Sequence, residues 1–269
     1  VGVGAAPSGE LSASGDNYTG ENAMSNRKKP AAEKVHVQAA AADRVVVGYI
    51  HPGQTSSYFT ESLCNMLMWD QATSHRIVGC INQWSSANIS PARNSVNAQF
   101  LERDADWLLW IDADMAFPHT ALDDLLASAD ATDRPIVGGL CFGASYGELF
   151  PTIYYFAEDA EGRITTQRVR DYPDNELVKC AATGAAFLLV HRSVLETIRD
   201  REFNATFPWF QETELAGQPC GEDITFCMRA ALCDFPVFVN TAVKIGHHKS
   251  TVLNHDMFQG QKEAESVSP

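Results

Sequence analysis

The sequence predicts an α/β protein: a central, mostly parallel sheet flanked by helices, with a smaller antiparallel element in its second half. Three observations carry this. Short apolar or β-branched runs alternate with helix-period segments from residue 44 to residue 137. One run, Trp107-Leu108-Leu109-Trp110-Ile111, is apolar throughout, as a strand covered on both faces of a sheet must be. The composition is that of a globular chain, with 269 residues, 45% hydrophobic and 10% aromatic. That length is ample for a buried core.

The elements follow in order. Arg44 to Ile50 is a β-branched run stopped by His51-Pro52-Gly53, a strand then a loop. Ser57 to Asp70 carries Phe59, Leu63, Met66 and Leu67 at helical spacing. Arg76 to Ile81 reads as a second strand. Ser90-Pro91 opens a helix, because proline suits the first turn. Its apolar face is Val96, Phe100 and Leu101, and Arg93 and Asn97 form the expected polar face. After the Trp107 to Ile111 strand come a helix over Pro118 to Ala129 and a strand over Pro135 to Val137. This β-α-β-α-β-α-β order predicts a parallel sheet under helices. Later strands are expected at Pro151–Ala157 and Ala185–Val190, including an antiparallel pair, and short strands at Val237–Asn240 and Val243–Ile245. Helices are expected over Ser193–Arg201 and Glu222–Leu232.

Residues 1–42 differ in kind. They are rich in Ala, Gly, Ser and Asn, and are expected to be a disordered N-terminal extension. They hold no continuous apolar stretch of the secretory type. Met24 is a plausible start, so residues 1–23 are expected to be an upstream extension. Residues 43–257 read as one domain and 258–269 as a flexible tail.

The formal net charge is −14. The first 42 residues carry four acids and four bases, so the whole excess belongs to the rest. Such a charge argues against a broad phosphate-binding surface and suits a cation site. The seven cysteines lie outside any C-x-x-C pair, which disfavours a zinc ribbon. Their odd number in a chain this long disfavours a disulfide framework, and a cytoplasmic setting is expected (the host cytoplasm if the source is viral). No apolar run approaches the roughly 18–20 residues of a membrane helix.

Three short motifs carry chemistry. Asp112-Ala113-Asp114 follows the buried strand directly, where open α/β sheets bind ligands. Two close carboxylates repel unless a cation joins them, and oxygen ligands of this kind suit Mn²⁺ or Mg²⁺. Gly221-Glu222-Asp223 opens a helix; its acids suit the helix dipole or a general base. Lys244-Ile245-Gly246-His247-His248-Lys249 offers an imidazole ligand after a late strand. Adjacent residues of an extended chain point opposite ways, so only one histidine can face a given site.

These motifs, in this order, resemble the GT-A superfamily of nucleotide-sugar glycosyltransferases, in its compact bacteriophage form. The resemblance spans roughly residues 44–252. It implies a metal site of Asp112, Asp114 and His247, with Asp223 as catalytic base and Glu222 orienting the acceptor or exchanging roles with it. It further implies donor contacts from His51, Pro52, Gly53, Arg93, Asn94, Asp112 and Lys249. Arg93 would pair with the diphosphate or fix Asp112. Thr183-Gly184-Ala185 resembles the small-residue segment on the acceptor side. Some relatives of this type glycosylate hydroxymethylated DNA bases. The implied partners are therefore a nucleotide-sugar donor, UDP-sugar favoured, and an acceptor hydroxyl such as that of a 5-hydroxymethylated pyrimidine. A glycan, lipid or protein acceptor stays open, as does a binding module of the same fold without turnover. A nucleotidyltransferase is disfavoured by the lack of a G-x-x-x-x-G-K loop. Phe207-Pro208-Trp209-Phe210 would make an acceptor platform or a core anchor. Arg163, Arg168 and Arg170 would meet DNA or line one exposed strand face.

Overall fold

The structure, a computed structural model, describes residues 43–145, 148–250 and 259. The expected extension over 1–42, and the tail over 258–269 apart from Gln259, lie outside the described residues.

The first half keeps the alternation. It runs β1 (Val45–His51), α1 (Ser57–Ala72), β2 (Ile77–Trp84), α2 (Ser90–Leu101) and β3 (Trp107–Ile111). Next come β4 (Met115–Ala116), α3 (Ala121–Ser128) and β5 (Ile136–Leu140). Four short strands follow: β6 (Phe142–Ser145), β7 (Glu148–Pro151), β8 (Ile153–Glu158) and β9 (Ile164–Arg168). Then β10 (Leu177–Cys180), β11 (Ala182–Thr183), β12 (Phe187–His191) and α4 (Arg192–Asp200) return to the main sheet. The last described elements are β13 (Thr213–Leu215), β14 (Gln218–Cys220), α5 (Glu222–Ala231), β15 (Val237–Lys244) and β16 (Gly246–His247).

The main sheet has seven strands in the order β10-β15-β5-β12-β3-β1-β2. β1 pairs in parallel with β2 and β3, and β15 with β5. β12 runs antiparallel between β3 and β5, and β10 is antiparallel to β15. The mostly parallel sheet with helical cover is therefore the architecture observed. One strand was expected in two pieces: Val237–Asn240 and Val243–Ile245 are a single β15 whose register shifts between Asn240 and Lys244. The smaller antiparallel element is the three-stranded sheet β11-β8-β9.

β3 shows why the apolar run exists. Leu108 and Trp110 enter a core cluster with Val96 and Phe100 of α2 and Leu195 of α4. Trp107, Leu109 and Ile111 enter a second cluster with Phe59 of α1 and Leu125 of α3. Successive side chains thus fill opposite faces, and all five are buried. Each large apolar side chain so buried contributes about 1.5–3 kcal/mol.

The expected polar face of α2 is corrected by the packing. Arg93 is 3% exposed and Asn97 is 0% exposed. Both are buried because α2 also packs against α4 and the segment around Phe210. Among the described residues, no helix is long and apolar enough to cross a membrane.

Candidate functional site

The site grows from the carboxyl end of β3. Asp112 N–H donates to Ala186 O at 2.9 Å, and Met115 N–H closes a turn onto Asp112 O at 3.1 Å. Ser56 N–H is tied to Ala113 O, and His248 N–H to Asp114 O, each at 2.9 Å. Three chain segments are thereby stitched around Asp112-Ala113-Asp114. The β16–β4 ladder sets His247 opposite Met115.

His247 faces Asp114: its Nε2 lies 3.1 Å from Asp114 Oδ2. Its Nδ1 is 2.8 Å from the Phe142 carbonyl oxygen. A carbonyl only accepts, so Nδ1 carries a proton and the neutral ring would turn the Nε2 lone pair toward the carboxylate. Two lone-pair atoms at that distance need a proton or a cation between them. The donor chemistry of Asp114 and His247 therefore fits a divalent ion. Lys249 Nζ also reaches Asp114 Oδ2, at 3.0 Å. Burial pushes the Asp114 carboxyl up, but bonds from His247 and Lys249 outweigh it and hold it at about 2. The bond to Asp114 raises the His247 imidazole above its ordinary value, against its partial burial. Among the described residues, no group of three His, Cys, Asp or Glu side chains is assembled as a metal cage. His248 turns its ring against Tyr58, 5.0 Å between centroids.

Asp112 is engaged differently. Arg93 Nη2 donates to its Oδ1 at 2.8 Å. Arg93 Nε lies 3.2 Å from Glu222 Oε1, a charge contact whose geometry falls short of a hydrogen bond. Burial disfavours the guanidinium, yet Asp112, Glu222 and Asp223 together raise its pKa, so it stays charged.

Glu222 and Asp223 open α5, with Gly221 as the cap residue. A Cβ on Gly221 would stand 2.9 Å from Asp223 Oδ1, so this position needs glycine while Asp223 keeps its place. Burial, then the Glu222 charge, push the Asp223 carboxyl up to about 6; Arg93 opposes them. That environment suits a proton acceptor working near neutral pH.

Two adjoining cavities hold these groups. The larger, about 520 Å³, is lined by Pro52, Gln54, Thr55, Ser56, Asp112, Asp114, His247, His248 and Lys249, among others. The smaller, about 200 Å³, shares Arg93, Asp112 and His247 with it and adds Thr152, Gly184, Glu222 and Asp223. Arg93 thus lies between a Asp114–His247 end and an Asp223 end.

Other expected residues are placed elsewhere. Pro52 lines the larger cavity, whereas His51 spends Nδ1 on Gly53 N–H at 3.1 Å. Asn94 is buried, donating to Phe210 O and Ser90 O at 2.7 Å and accepting from Trp209 N–H at 3.1 Å. Trp209 and Phe210 are core anchors rather than a platform. They are 4% and 0% exposed, and Phe210 stacks on Phe226 at 4.8 Å. Arg163 pairs with Asp159 and Glu161, Arg170 pairs with Glu148, and Arg168 lies over the Phe150 ring. Gln54, Thr55 and Ser56 were not expected at the cavity. Ser56 had one signal, a serine just before a helix; its Oγ accepts from Phe59 N–H at 3.0 Å.

Neither a protein-family model nor a curated protein sequence matches the chain. Among solved structures, A197 from STIV is similar with a TM-score of 0.51 and 16% identity, over 77% of this chain and 86% of that chain. GalNAc-T7, solved with UDP, GalNAc and Mn²⁺, gives a TM-score of 0.48 and 14% identity, over 77% of this chain and 44% of that chain. The likeness to A197 concerns the fold alone.

Proposed function

We propose that the chain is a metal-dependent glycosyltransferase of the GT-A type, moving a sugar from a nucleotide-diphosphate sugar to a hydroxyl acceptor. One observation carries this reading. A carboxylate–imidazole pair fit for a divalent cation and a buried carboxyl with a pKa of about 6 line adjoining cavities at the carboxyl end of one sheet.

Asp114 and His247 would hold Mn²⁺ or Mg²⁺, which when bound offsets charge on the departing diphosphate. His247 keeps its ring aimed through the Nδ1–H bond to Phe142 O. Asp112, fixed by Arg93, closes the wall between the two cavities. The larger cavity takes the nucleotide, with Pro52, Thr55 and Ser56 in its lining. Asp223 accepts the acceptor's hydroxyl proton. The acceptor oxygen then bonds to the sugar's anomeric carbon as the bond from that carbon to the diphosphate breaks. Glu222, held by Arg93, keeps a negative charge beside Asp223 and so keeps it basic.

The acceptor side carries more acids than bases, with Asp112, Glu222 and Asp223 in its lining beside Arg93. Arg163 and Arg170 are paired with acids of their own. A neutral or cationic hydroxyl acceptor therefore suits this face better than a polyanion, and a sugar hydroxyl is the favoured class. A hydroxymethylated pyrimidine would have to enter as an extruded or single-stranded base.

The test incubates the protein with Mn²⁺, a panel of UDP- and GDP-sugars, and separate glycan and hydroxymethylated-DNA acceptors. Mass analysis follows transfer, and nucleotide release follows donor turnover. Activity lost with a chelator or in Asp114→Ala, restored only in the first case by added Mn²⁺, is the expected result. Turnover unchanged in Asp114→Ala would sink the metal assignment. A binding module of the same fold would hold nucleotide without turnover; in the enzyme, Asp223→Asn removes turnover and leaves donor binding nearly intact.

A further inference from the structure

Asp114 Oδ2 receives both the His247 contact at 3.1 Å and the Lys249 ammonium at 3.0 Å. A divalent ion held by Asp114 and His247 would draw on that same carboxylate. It also repels an ammonium nearby, and the repulsion is strong where solvent is partly excluded. Lys249 and the ion therefore compete for the Asp114 carboxylate.

The two cations lining the larger cavity have different freedom. Arg93 is 3% exposed and fixed to Asp112 and Glu222. The Lys249 side chain is 58% exposed, so it can leave Asp114 by rotating its own bonds. Its backbone is kept close, because the preceding residue's N–H donates to Asp114 O at 2.9 Å. A displaced ammonium thus stays at the cavity wall, where an anionic group of the donor would be its natural partner.

We propose that Lys249 is a built-in counter-ion that competes with the divalent cation for Asp114 and, once displaced, binds the donor diphosphate. The proposal rests on the metal-dependent donor reading above and adds a coupling to it. Metal alone must displace a lysine that gains only water in return. Metal with diphosphate gives that lysine a new partner. Each ligand therefore raises the affinity of the other, as linkage requires.

The experiment measures protein-bound Mn²⁺ by electron paramagnetic resonance of the free ion, with and without UDP. Values are corrected for the Mn²⁺–UDP complex in solution. The full chain, Lys249→Met, Lys249→Arg and Asp114→Asn are compared, with melting temperatures as a folding check. Lys249→Met is expected to bind Mn²⁺ alone about 5-fold tighter, the scale of a surface ion pair. It should also lose most of the enhancement by UDP, while Lys249→Arg keeps it. Asp114→Asn should lose Mn²⁺ binding in both conditions. Equal or weaker Mn²⁺ binding by Lys249→Met, or an undiminished UDP effect, overturns the inference and leaves the metal-dependent reading standing. If neither the full chain nor Lys249→Met binds Mn²⁺ even with UDP, both fall together.

Discussion

Arg93 Nη2 and Asp112 Oδ1 are joined at 2.8 Å, and the same guanidinium lies 3.2 Å from Glu222 through Nε. One buried cation thus links the end of β3 to the head of α5. It is also seated over two rings, 5.2 Å from Trp110 and 5.4 Å from Phe210. Removing one partner of a buried pair leaves a charge without compensation, at a cost of about 3–5 kcal/mol. Arg93→Met is expected to lose stability in that range in urea denaturation. Arg93→Lys should recover only part, since a single ammonium nitrogen cannot span the positions that Nη2 and Nε occupy toward Asp112 and Glu222. A loss under about 1 kcal/mol in Arg93→Met would show that the linkage carries no energy.

Asp223 sets the pH behaviour. Its carboxyl is pushed up to about 6 by burial and the neighbouring Glu222 charge. A base must be ionised to work, so donor turnover should fall as pH drops through about 6 rather than near 4. Glu222→Gln removes a negative neighbour and should move this limb to lower pH. Stability runs the opposite way. Between the unfolded value of about 4 and the folded value the native state binds more protons, so stability falls as pH rises across that window. Asp223→Asn should remove this loss. A pH–rate profile and urea melts at several pH values test both, and a limb near pH 4 would refute the assignment.

Asn94 stands behind the site rather than in it. Its amide clamps the Trp209-Phe210 segment by donating to Phe210 O at 2.7 Å and accepting from Trp209 N–H at 3.1 Å. Asn94→Ala leaves buried backbone groups without partners, each costing about 1–3 kcal/mol. The variant should be destabilised by roughly 3 kcal/mol, while UDP affinity, measured below its melting range, changes little. A selective loss of UDP affinity with unchanged stability would restore Asn94 to the donor contacts.

The sheet was legible because burial writes itself into sequence. The Trp107 to Ile111 run reads as a strand covered on both faces within the α/β alternation, and the acids follow at its end. An antiparallel strand was expected near β12, but its partners were not legible: it pairs with β3 and β5 and not with β8. Its residues are as apolar as those of the parallel strands beside it, and the choice of partner leaves no mark on a fully buried run. Of the expected metal residues, Asp114 and His247 lie 3.1 Å apart, while Asp112 is held by Arg93. Arg93 was readable as a partner of Asp112, but its burial was not, because the Phe210 segment that covers it lies more than 100 residues away. Trp209 and Phe210 misled for the same reason. Sequence shows an aromatic pair in a loop, and only the fold shows that the loop is pressed against α5 and α4.

Asp70 offers a prediction away from the chemistry. It is 3% exposed and closes the turn from α1 into β2. Its Oδ1 accepts from Arg76 N–H at 2.9 Å and from the Ser74 hydroxyl at 3.1 Å, and its Oδ2 from Ile77 N–H at 3.0 Å. Bonds to a charged acceptor are each worth about 1.5–3 kcal/mol, so Asp70→Ala should cost roughly 3 kcal/mol or more. Asp70→Asn keeps one acceptor oxygen and should cost about half. The same turn places His75 at φ +52°, a left-handed conformation that glycine adopts without strain. His75→Gly should therefore be neutral or stabilising by up to about 1 kcal/mol. These variants change how β2 is anchored and leave Asp114, His247 and Asp223 alone. Urea melts should follow the order His75→Gly, parent chain, Asp70→Asn, Asp70→Ala, with Mn²⁺ and UDP affinities unchanged under native conditions. A parent-like melt for Asp70→Ala would show that the turn holds without its carboxylate.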